Sequence, residues 1–244
     1  MMKYKNHIQH YQNDADFHNY FENNPIEEHN IRRRYSCFFK WLLPLKNGIL
    51  LEIGSGGGYA MQEIKKTRFD YVALDIPITN LKGIKSRSEK SIYAVSGDAY
   101  QLPFKDKNVN TIILSEVLEH FQDPAKALKE MHRILADDGV LLISVPYKET
   151  ISYQICVHCN KPTPTHAHFH SFDENSLDPF LTDTNLSVDK KQKITNKLLS
   201  RISVFFKLNN LPFYLWQLID RGLNLVIPKP SHIIFRLKKI NQYT

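Results

Sequence analysis

Five apolar runs at regular spacing constrain the fold of this chain more than any other feature. Their starts are 22, 21, 19 and 29 residues apart, about the length that a strand–helix–strand crossover needs. Apolar runs of this kind are typical of parallel strands that are buried on both faces. The pattern therefore predicts an α/β fold with a doubly wound, mostly parallel sheet. The runs are Ile49–Ile53, Tyr71–Leu74, Ile92–Val95, Thr111–Leu114 and Val140–Val145.

One crossover helix can be predicted closely from its sequence. Asp123 is a good N-cap, and Pro124 occupies the first helical position. An apolar stripe at helical spacing follows, and Gly139 is expected just after the end of the helix. The stripe consists of Ala127, Leu128, Met131, Ile134 and Leu135.

The rest of the chain is predicted to decorate this single domain. In the N-terminal part, the aromatic stretch Tyr4–Phe21 precedes a helix over IRRRYSCFFKWLL that ends at Pro44. Beyond the core, two further strands are expected at Ser187–Ile194 and His232–Ile240. Between them, the amphipathic stretch Leu198–Ile219 is divided by Pro212. The predicted parts are an N-terminal helical arm or lid (1–46), the core (47–150), a Cys- and His-rich insert without periodicity (151–175) and a C-terminal part (176–244).

Composition excludes several classes of protein. A hydrophobic fraction of 42% and a charged fraction of 23% are ordinary for a globular domain, and no window is long and apolar enough for a transmembrane span. Three cysteines do not make a disulfide framework, and the polar start lacks a secretory signal, so a reducing, cytoplasmic setting is expected.

The net charge of +7 resides mainly at the C-terminal end, which carries eleven basic residues and one acidic residue from Lys190 onward. A basic stretch of this kind can meet nucleic acid, acidic lipid headgroups or an anionic substrate, or form a solvated surface. The solvated surface is the preferred interpretation, and nucleic acid is not the expected partner.

Four of the nine glycines fall between Gly54 and Gly58, at the turn after the first predicted strand. Glycines let a backbone pass close to a ligand. The dinucleotide fingerprint needs a further glycine where this chain has Tyr59, so a nicotinamide enzyme is disfavoured. The spacing is instead acidic-x-Gly-x-Gly-x-Gly, with Glu52 as the acidic residue.

At this point the sequence resembles the class I S-adenosylmethionine-dependent methyltransferases. The glycine loop has the form of their first motif, and Asp75 ends the second strand 21 residues after Gly54. SGDAYQLPF, which contains Asp98, is similar to their GDAxxLPF segment. LSEVLEHFQDPAKALKEMHRILADDGVLLISVP is similar to their EVLEH…SxP run. The resemblance covers residues 48–147 in detail and implies a seven-stranded Rossmann-like sheet.

The resemblance also implies S-adenosylmethionine as the cofactor and a set of residues around it. Asp75 would bind the ribose, Asp98 with Ala99 the adenine, and Ser115 the methionine end through its backbone. The residues expected at the cofactor are Glu52, Gly54, Ser55, Gly56, Gly58, Asp75, Ile76, Asp98, Ala99 and Ser115.

Glu119 and His120 follow the fourth strand at the carboxyl edge, where ligands bind in such sheets. Methyl transfer requires a base only when the acceptor is a protonated hydroxyl or amine. His120 is the candidate general base, with Glu119 beside it. The alternative role for His120 is to shape the pocket wall.

Residues 156–170 read CVHCNKPTPTHAHFH and concentrate cysteine and histidine. A Cys-x-x-Cys knuckle can hold one side of a tetrahedral zinc, which histidines could complete. The segment is similar to an insert in some methyltransferases, with Ala167 replacing a glycine. A structural zinc is the leading interpretation; pocket histidines, a redox pair and an inert loop are the alternatives. The candidate ligands are Cys156, Cys159, His166, His168 and His170.

The predicted function is methyl transfer by direct displacement onto a small molecule or a sugar- or lipid-linked metabolite. An RNA methyltransferase and a non-catalytic protein that binds the cofactor or zinc are the alternatives. The aromatic stretch Leu198–Ile219 could form a substrate lid, a homodimer interface or a shallow membrane contact.

Overall fold

The computed structural model describes residues 6–44, 47–65, 67–88, 92–157, 160–205 and 211–240. Helices and strands alternate through the middle of the chain, as the sequence predicts. The strands are β1 (Gly48–Ile53), β2 (Phe69–Asp75), β3 (Tyr93–Ser96), β4 (Val109–Ser115), β5 (Leu135–Pro146), β6 (Tyr153–Ile155), β7 (Pro162–Pro164), β8 (Leu186–Asn196) and β9 (Pro230–Lys239). The helices are α1 (His7–Phe17), α2 (Pro25–Trp41), α3 (Met61–Ile64), α4 (Ile78–Arg87), α5 (Pro124–Ile134), α6 (Asp178–Leu181), α7 (Lys197–Phe205) and α8 (Phe213–Val226), with a 3₁₀ turn at Leu118–His120.

Within the described residues, the main sheet has seven strands in the order β3-β2-β1-β4-β5-β9-β8. The strands from β3 to β5 are parallel, whereas β9 runs antiparallel to both β5 and β8. This confirms the predicted doubly wound, mostly parallel sheet. The strand order reverses between β1 and β4, and a crevice forms at the carboxyl edge of such a switch point.

Apolar side chains of the buried strands point alternately to the two faces of the sheet and form an apolar layer on each. Leu51 and Ile53 of β1 pack with α5 on one face, and Leu50 packs with α2 and α4 on the other. Both layers continue across the neighbouring strands, because successive side chains point to opposite faces. The two layers hold the carboxyl ends of β1, β2 and β4 in fixed register.

The helix α5 confirms the prediction at its start and corrects it at its end. The Asp123 side chain accepts a hydrogen bond from the Lys126 amide at 3.0 Å, and the stripe from Ala127 to Ile134 is buried. The strand β5 begins at once, so Leu135 and Gly139 lie in β5 rather than at a helix end. A Cβ at Gly139 would lie 2.8 Å from Leu135 Cδ1, so glycine there permits close packing within the strand.

Three other segments differ from their predicted bounds. The helix α2 begins six residues before the predicted start, because the Asn24 side chain caps it and Pro25 opens it. The insert, predicted to be irregular, contains the antiparallel pair β6–β7. Pro212 does divide the aromatic stretch, but α8 continues to Val226, beyond the predicted end. Across the described ranges, each helix is too short or too polar to cross a membrane.

Candidate active site

The loop between β1 and α3 is left-handed at three glycines. Gly54, Gly56 and Gly58 have φ values of 66°, 46° and 70°, which residues with a side chain rarely adopt. A Cβ at Gly54 would also lie 2.6 Å from Val117 Cγ2. The Ser55 hydroxyl oxygen in the same loop is buried without a hydrogen-bond partner among the described residues. The loop therefore brings bare backbone and one unsatisfied polar atom to the carboxyl edge of β1.

The Glu52 carboxylate is fully buried beneath this loop. The hydroxyl groups of Tyr35 in α2 and Tyr71 in β2 each donate a hydrogen bond to one of its oxygens. Burial raises the pKa of Glu52 to about 7, although both hydrogen bonds act in the opposite direction. In this structure Glu52 ties α2 and β2 to β1. The two tyrosines were not identified from the sequence, because neither belongs to a motif.

Asp75 links the end of β2 to the glycine loop. Its carboxylate accepts hydrogen bonds from the Gly56 amide at 2.8 Å, the Ile76 amide at 2.8 Å and the Asn80 side chain at 3.2 Å. Burial raises the pKa of Asp75, while these donors oppose the rise. Each carboxylate oxygen has two lone pairs, so further donors can still be accepted. Sequence reasoning placed Asp75 and Gly56 at one site, and the structure brings them together.

Asp98 meets a residue from the N-terminal helix. His7 Nε2 lies 2.9 Å from Asp98 Oδ2, and the Tyr100 amide donates to Asp98 Oδ1 at 3.0 Å. Ala99 beside it is buried. The same helix places Tyr11 so that its hydroxyl donates to the backbone oxygen of His120 at 3.4 Å. The helix α1 therefore spans the carboxyl edge from β3 to β4.

The turn after α1 lies against the glycine loop. A Cβ at Gly57 would lie 2.4 Å from the Tyr20 backbone oxygen, which also accepts a hydrogen bond from the Tyr59 hydroxyl at 2.7 Å. Tyr20 in turn donates to Asp14 at 2.5 Å. Residues 6–24 thus cover the predicted cofactor loop. The density of aromatic residues in this arm was the available sequence signal, but it did not reveal which residues they contact.

Beyond the glycine loop, Ser115 belongs to a partly buried polar network at the ends of β4 and β5. Its hydroxyl lies 3.2 Å from that of Ser144, which donates to Glu116 at 2.8 Å. Burial works to raise the pKa of Glu116, but His232 and Arg34 outweigh it and hold the value at about 2. Glu116 has a φ of 57°, a strained conformation of the kind that clusters at functional sites. Arg34, Glu116 and His232 were not identified from the sequence.

Glu119, His120 and His168 form a compact cluster at the end of β4. Each offers one ligand atom, and these atoms all lie within 4.8 Å of one another. The Glu119 side chain is fully buried, and neither carboxylate oxygen has a hydrogen-bond partner within the described ranges. Burial and the nearby Glu116 raise its pKa well above the ordinary value. Burial, together with the neighbouring His168, lowers the pKa of His120 to about 3.

Among the described residues, the predicted zinc ligands do not form a group of three that could hold an ion, and His168 is grouped with Glu119 and His120 instead. Cys156 follows β6, and Cys159 lies outside the described residues. His166 is exposed, His168 turns towards His120 with ring centroids 4.6 Å apart, and His170 packs against Phe180. Ala167, which replaces the glycine of similar inserts, has a φ of 57°.

A family model described as a methyltransferase domain matches residues 27–191. The chain belongs to this methyltransferase family. The match includes the glycine loop, Asp75, Asp98 and the cluster at the end of β4.

Curated relatives that match part of this chain are also described as methyltransferases. A Mycobacterium tuberculosis protein named "Probable S-adenosylmethionine-dependent methyltransferase" is 28% identical over 121 residues, which is 49% of this chain and 44% of the relative. The demethylmenaquinone methyltransferase of Renibacterium salmoninarum is 32% identical over 95 residues, which is 39% of this chain and 40% of the relative. The matched region thus spans less than half the length of either relative.

Solved structures share the fold of this methyltransferase. Phosphoethanolamine N-methyltransferase 2 of Haemonchus contortus, solved with S-adenosylmethionine, has a TM-score of 0.59 and 17% sequence identity. The likeness covers 84% of this chain and 52% of that one. At this identity it supports the fold alone.

The residues at the carboxyl edge fit S-adenosylmethionine as a cofactor. The left-handed glycines keep side chains off the loop backbone at this edge, and the buried Ser55 hydroxyl oxygen has no protein partner in the described part of the chain. Asp75 and Asp98 offer carboxylate acceptors for hydroxyl and amino donors. Both lie on the side of the crevice formed by β1, β2 and β3.

Proposed function

We propose that this methyltransferase transfers the methyl group of S-adenosylmethionine to a small molecule or a sugar- or lipid-linked metabolite. The observation that carries the proposal is the junction of the Asp75 carboxylate with the Gly56 amide at the switch point of the sheet. It joins a carboxylate acceptor to a loop backbone that carries no side chains at its glycines.

The proposed cofactor residues contact different parts of the cofactor along the crevice. Asp75 accepts the ribose hydroxyls, while Asp98 and Ala99 border the adenine. Ser115 contributes its backbone at the methionine end. The remaining residues shape the loop, with Glu52 holding it from below through its tyrosine partners. This loop and strand edge comprises Gly54, Ser55, Gly56, Gly58 and Ile76.

S-adenosylmethionine supplies a methyl group already activated on a sulfonium. The protein's own contribution is to hold the acceptor in line with that group and to exclude water. Such positioning can contribute about 7–11 kcal/mol in well-oriented systems. The helix α1, which contacts Asp98 and His120, covers the edge where this alignment would occur.

His120 is the proposed base for an acceptor that must lose a proton, with Glu119 beside it. A pKa of about 3 keeps His120 neutral near pH 7 and therefore able to accept a proton, but it also makes His120 a weak base. If His120→Ala keeps the wild-type turnover rate on the true acceptor, a base role is excluded and the histidine shapes the pocket.

Two observations favour a small acceptor over nucleic acid. Several C-terminal basic residues are paired: Lys193 lies 2.8 Å from Glu174, and Arg236 Nε lies 2.6 Å from Asp189. These pairs reduce the free charge available to phosphates. The name of one compared relative, a demethylmenaquinone methyltransferase, also points to a small acceptor.

The exposed apolar face of α8 is where a homodimer contact or a peripheral membrane contact would form. Leu218, Ile219 and Leu225 are all exposed there. Flotation with liposomes tests the membrane contact, and sedimentation at several protein concentrations tests the dimer. Recovery of all the protein in the soluble fraction as a monomer would exclude both.

The predicted structural zinc remains a proposal of its own. Cys156 and Cys159 would supply two ligands, and histidines of the insert would complete the site. Metal analysis of Cys156→Ser after dialysis tests it. Retention of the wild-type metal content in this variant would remove the cysteine site.

Transfer of a labelled methyl group tests the proposed function. Purified protein, labelled S-adenosylmethionine and a cell extract are incubated, and the lipid, small-molecule, protein and nucleic-acid fractions are counted. We expect label in the lipid or small-molecule fraction and none with heat-denatured protein. Label confined to nucleic acid would overturn the proposed acceptor class.

A further inference from the structure

We propose that Glu119, His120 and His168 bind a divalent first-row transition metal ion, of the class to which zinc belongs. The site lies at the carboxyl end of β4 and uses neither Cys156 nor Cys159. It therefore differs from the cysteine site predicted for the insert.

The buried Glu119 side chain is the first observation behind this site. Neither of its oxygens has a hydrogen-bond partner in any other described residue, and no part of the residue is exposed. A buried polar group without a partner destabilises the fold, and more so when it is charged. A cation between Glu119 and the two imidazoles would remove that cost.

The geometry of the three ligand atoms is the second observation. They lie within 4.8 Å of one another, whereas ligands about 2.1 Å from a tetrahedral ion are about 3.4 Å apart. Small side-chain rotations would close this difference. Glu119 and His120 come from one 3₁₀ turn, and the Phe169 amide donates to the Glu119 backbone oxygen at 2.8 Å. The residue next to His168 is thus fastened to the turn that carries the other two ligands.

The orientation of His168 is the third observation. Its Nδ1 lies 2.5 Å from Glu149 Oε2, and the carboxylate can only accept in that bond, so Nδ1 carries the hydrogen. The lone pair is then on Nε2, the nitrogen free for a metal. A carboxylate behind a ligating histidine is the usual arrangement in protein metal sites, where it fixes the ring and raises ligand basicity.

Two imidazoles and one carboxylate suit a divalent transition metal better than calcium or magnesium, which prefer oxygen ligands. Three protein ligands also leave at least one coordination position open. Provided that the proposed methyl transfer is correct, this position would take an acceptor hydroxyl and lower its pKa. With the metal bound, His120 would be a ligand and not the base, so the hydroxyl proton would pass to water. The oxygen would bond to the methyl carbon, and the C–S electron pair would stay on sulfur, giving S-adenosylhomocysteine.

Metal binding by the full chain, without cofactor or acceptor, tests the site directly. The protein is stripped with a chelator, dialysed against Zn²⁺ and analysed for bound metal, in parallel with Glu119→Gln, His168→Gln and two controls. The control His166→Gln removes an exposed histidine two positions from His168, and Cys156→Ser removes the described cysteine of the insert. We expect the wild type and both controls to bind one equivalent at this site, whether or not the insert holds a second ion, and the two cluster variants to bind it at least about 100-fold more weakly.

Binding of Co²⁺ identifies the ligand type independently. We expect visible ligand-field bands without a thiolate-to-metal charge-transfer band. The positioning residue Glu149 provides a variant outside the metal's ligands: Glu149→Gln should weaken Zn²⁺ binding about 10- to 100-fold and leave the ligand-field bands in place.

Two results would overturn the proposal: less than about a tenth of an equivalent in the wild type, or metal lost in Cys156→Ser and kept in Glu119→Gln. Titration of the same samples with S-adenosylhomocysteine separates failure of the metal site from failure of the proposed methyl transfer. If the protein binds S-adenosylhomocysteine but no metal, only the metal site is excluded. If the folded wild-type protein does not bind S-adenosylhomocysteine, the proposed methyl transfer is excluded, whatever the metal content.

Discussion

Replacing Asp75 with alanine removes the acceptor that joins the second strand to the glycine loop. In the wild type, the carboxylate accepts from the Gly56 and Ile76 amides and from Asn80. In the proposed complex it also accepts two ribose hydroxyls. Asp75→Ala therefore loses the ribose contacts and frees the Gly56 amide, so that the loop is no longer held for a ligand.

The expected loss follows from the strength of hydrogen bonds to charged groups, about 1.5–3 kcal/mol each. Two ribose contacts correspond to about 3–6 kcal/mol, and each 1.4 kcal/mol changes affinity about tenfold. Water can replace part of the lost carboxylate, so we take the lower bound. The dissociation constant of S-adenosylhomocysteine should rise at least about 100-fold in Asp75→Ala. In Asp75→Asn, which keeps one acceptor oxygen, it should rise about tenfold.

Isothermal titration calorimetry with S-adenosylhomocysteine measures both changes. The matched control is Asp70→Ala, which removes an exposed carboxylate from the opposite end of the same strand and should bind like the wild type. Circular dichroism confirms that each variant is folded. Unchanged affinity in folded Asp75→Ala would refute the assignment of Asp75 to the ribose.

Three further predictions concern stability, each measured by urea unfolding. Burial raises the pKa of Glu52 from 4.5 to about 7, so its contribution is complete below about pH 4.5 and is lost as the pH rises through 7. The stability of the wild type relative to Glu52→Gln should therefore fall by roughly 3 kcal/mol between about pH 4.5 and pH 8, and a constant difference would contradict this pKa. Gly58→Ala should destabilise by about 2–3 kcal/mol, since φ is 70° and the new Cβ would lie 2.9 Å from Ile84. The matched Gly222→Ala, in a helix with nothing within 4 Å, should stabilise by about 0.5–1 kcal/mol; equal effects would exclude conformational strain as the cause. Asp123→Ala should cost about 1 kcal/mol as the N-cap of α5 is lost, and no change would show that the cap contributes nothing.

The sheet could be predicted from the sequence because its signals are local. Each buried strand is a separate apolar run. The two adjacent residues Asp123 and Pro124 are enough to mark the start of α5. The predicted end of α5 was wrong because Leu135 continues the apolar stripe of the helix and is also the first residue of β5. One residue can satisfy both patterns, and only pairing with β4 decides between them.

The site was predictable where a motif carries it and not where partners come from distant segments. The loop glycines and Asp75 belong to the motifs that resemble those of the class I methyltransferases. The contacts of His7 with Asp98 and of Tyr35 with Glu52 join residues 91 and 17 positions apart, and no periodicity reports them. The sequence predicted His168 as a metal ligand together with the insert cysteines. In the structure it lies beside Glu119 and His120 instead.

Production of S-adenosylhomocysteine tests the central claim most directly, with a labelled methyl group followed in the same reaction. Wild-type protein with S-adenosylmethionine and the small-molecule fraction of a cell extract should release S-adenosylhomocysteine and an equal amount of methylated product. At a cofactor concentration below the wild-type dissociation constant, Asp75→Ala should produce about 100-fold less of both, whereas Asp70→Ala should match the wild type. If the wild-type protein binds S-adenosylmethionine but transfers no methyl group to any fraction of the extract, the account of this chain as an active methyltransferase is contradicted.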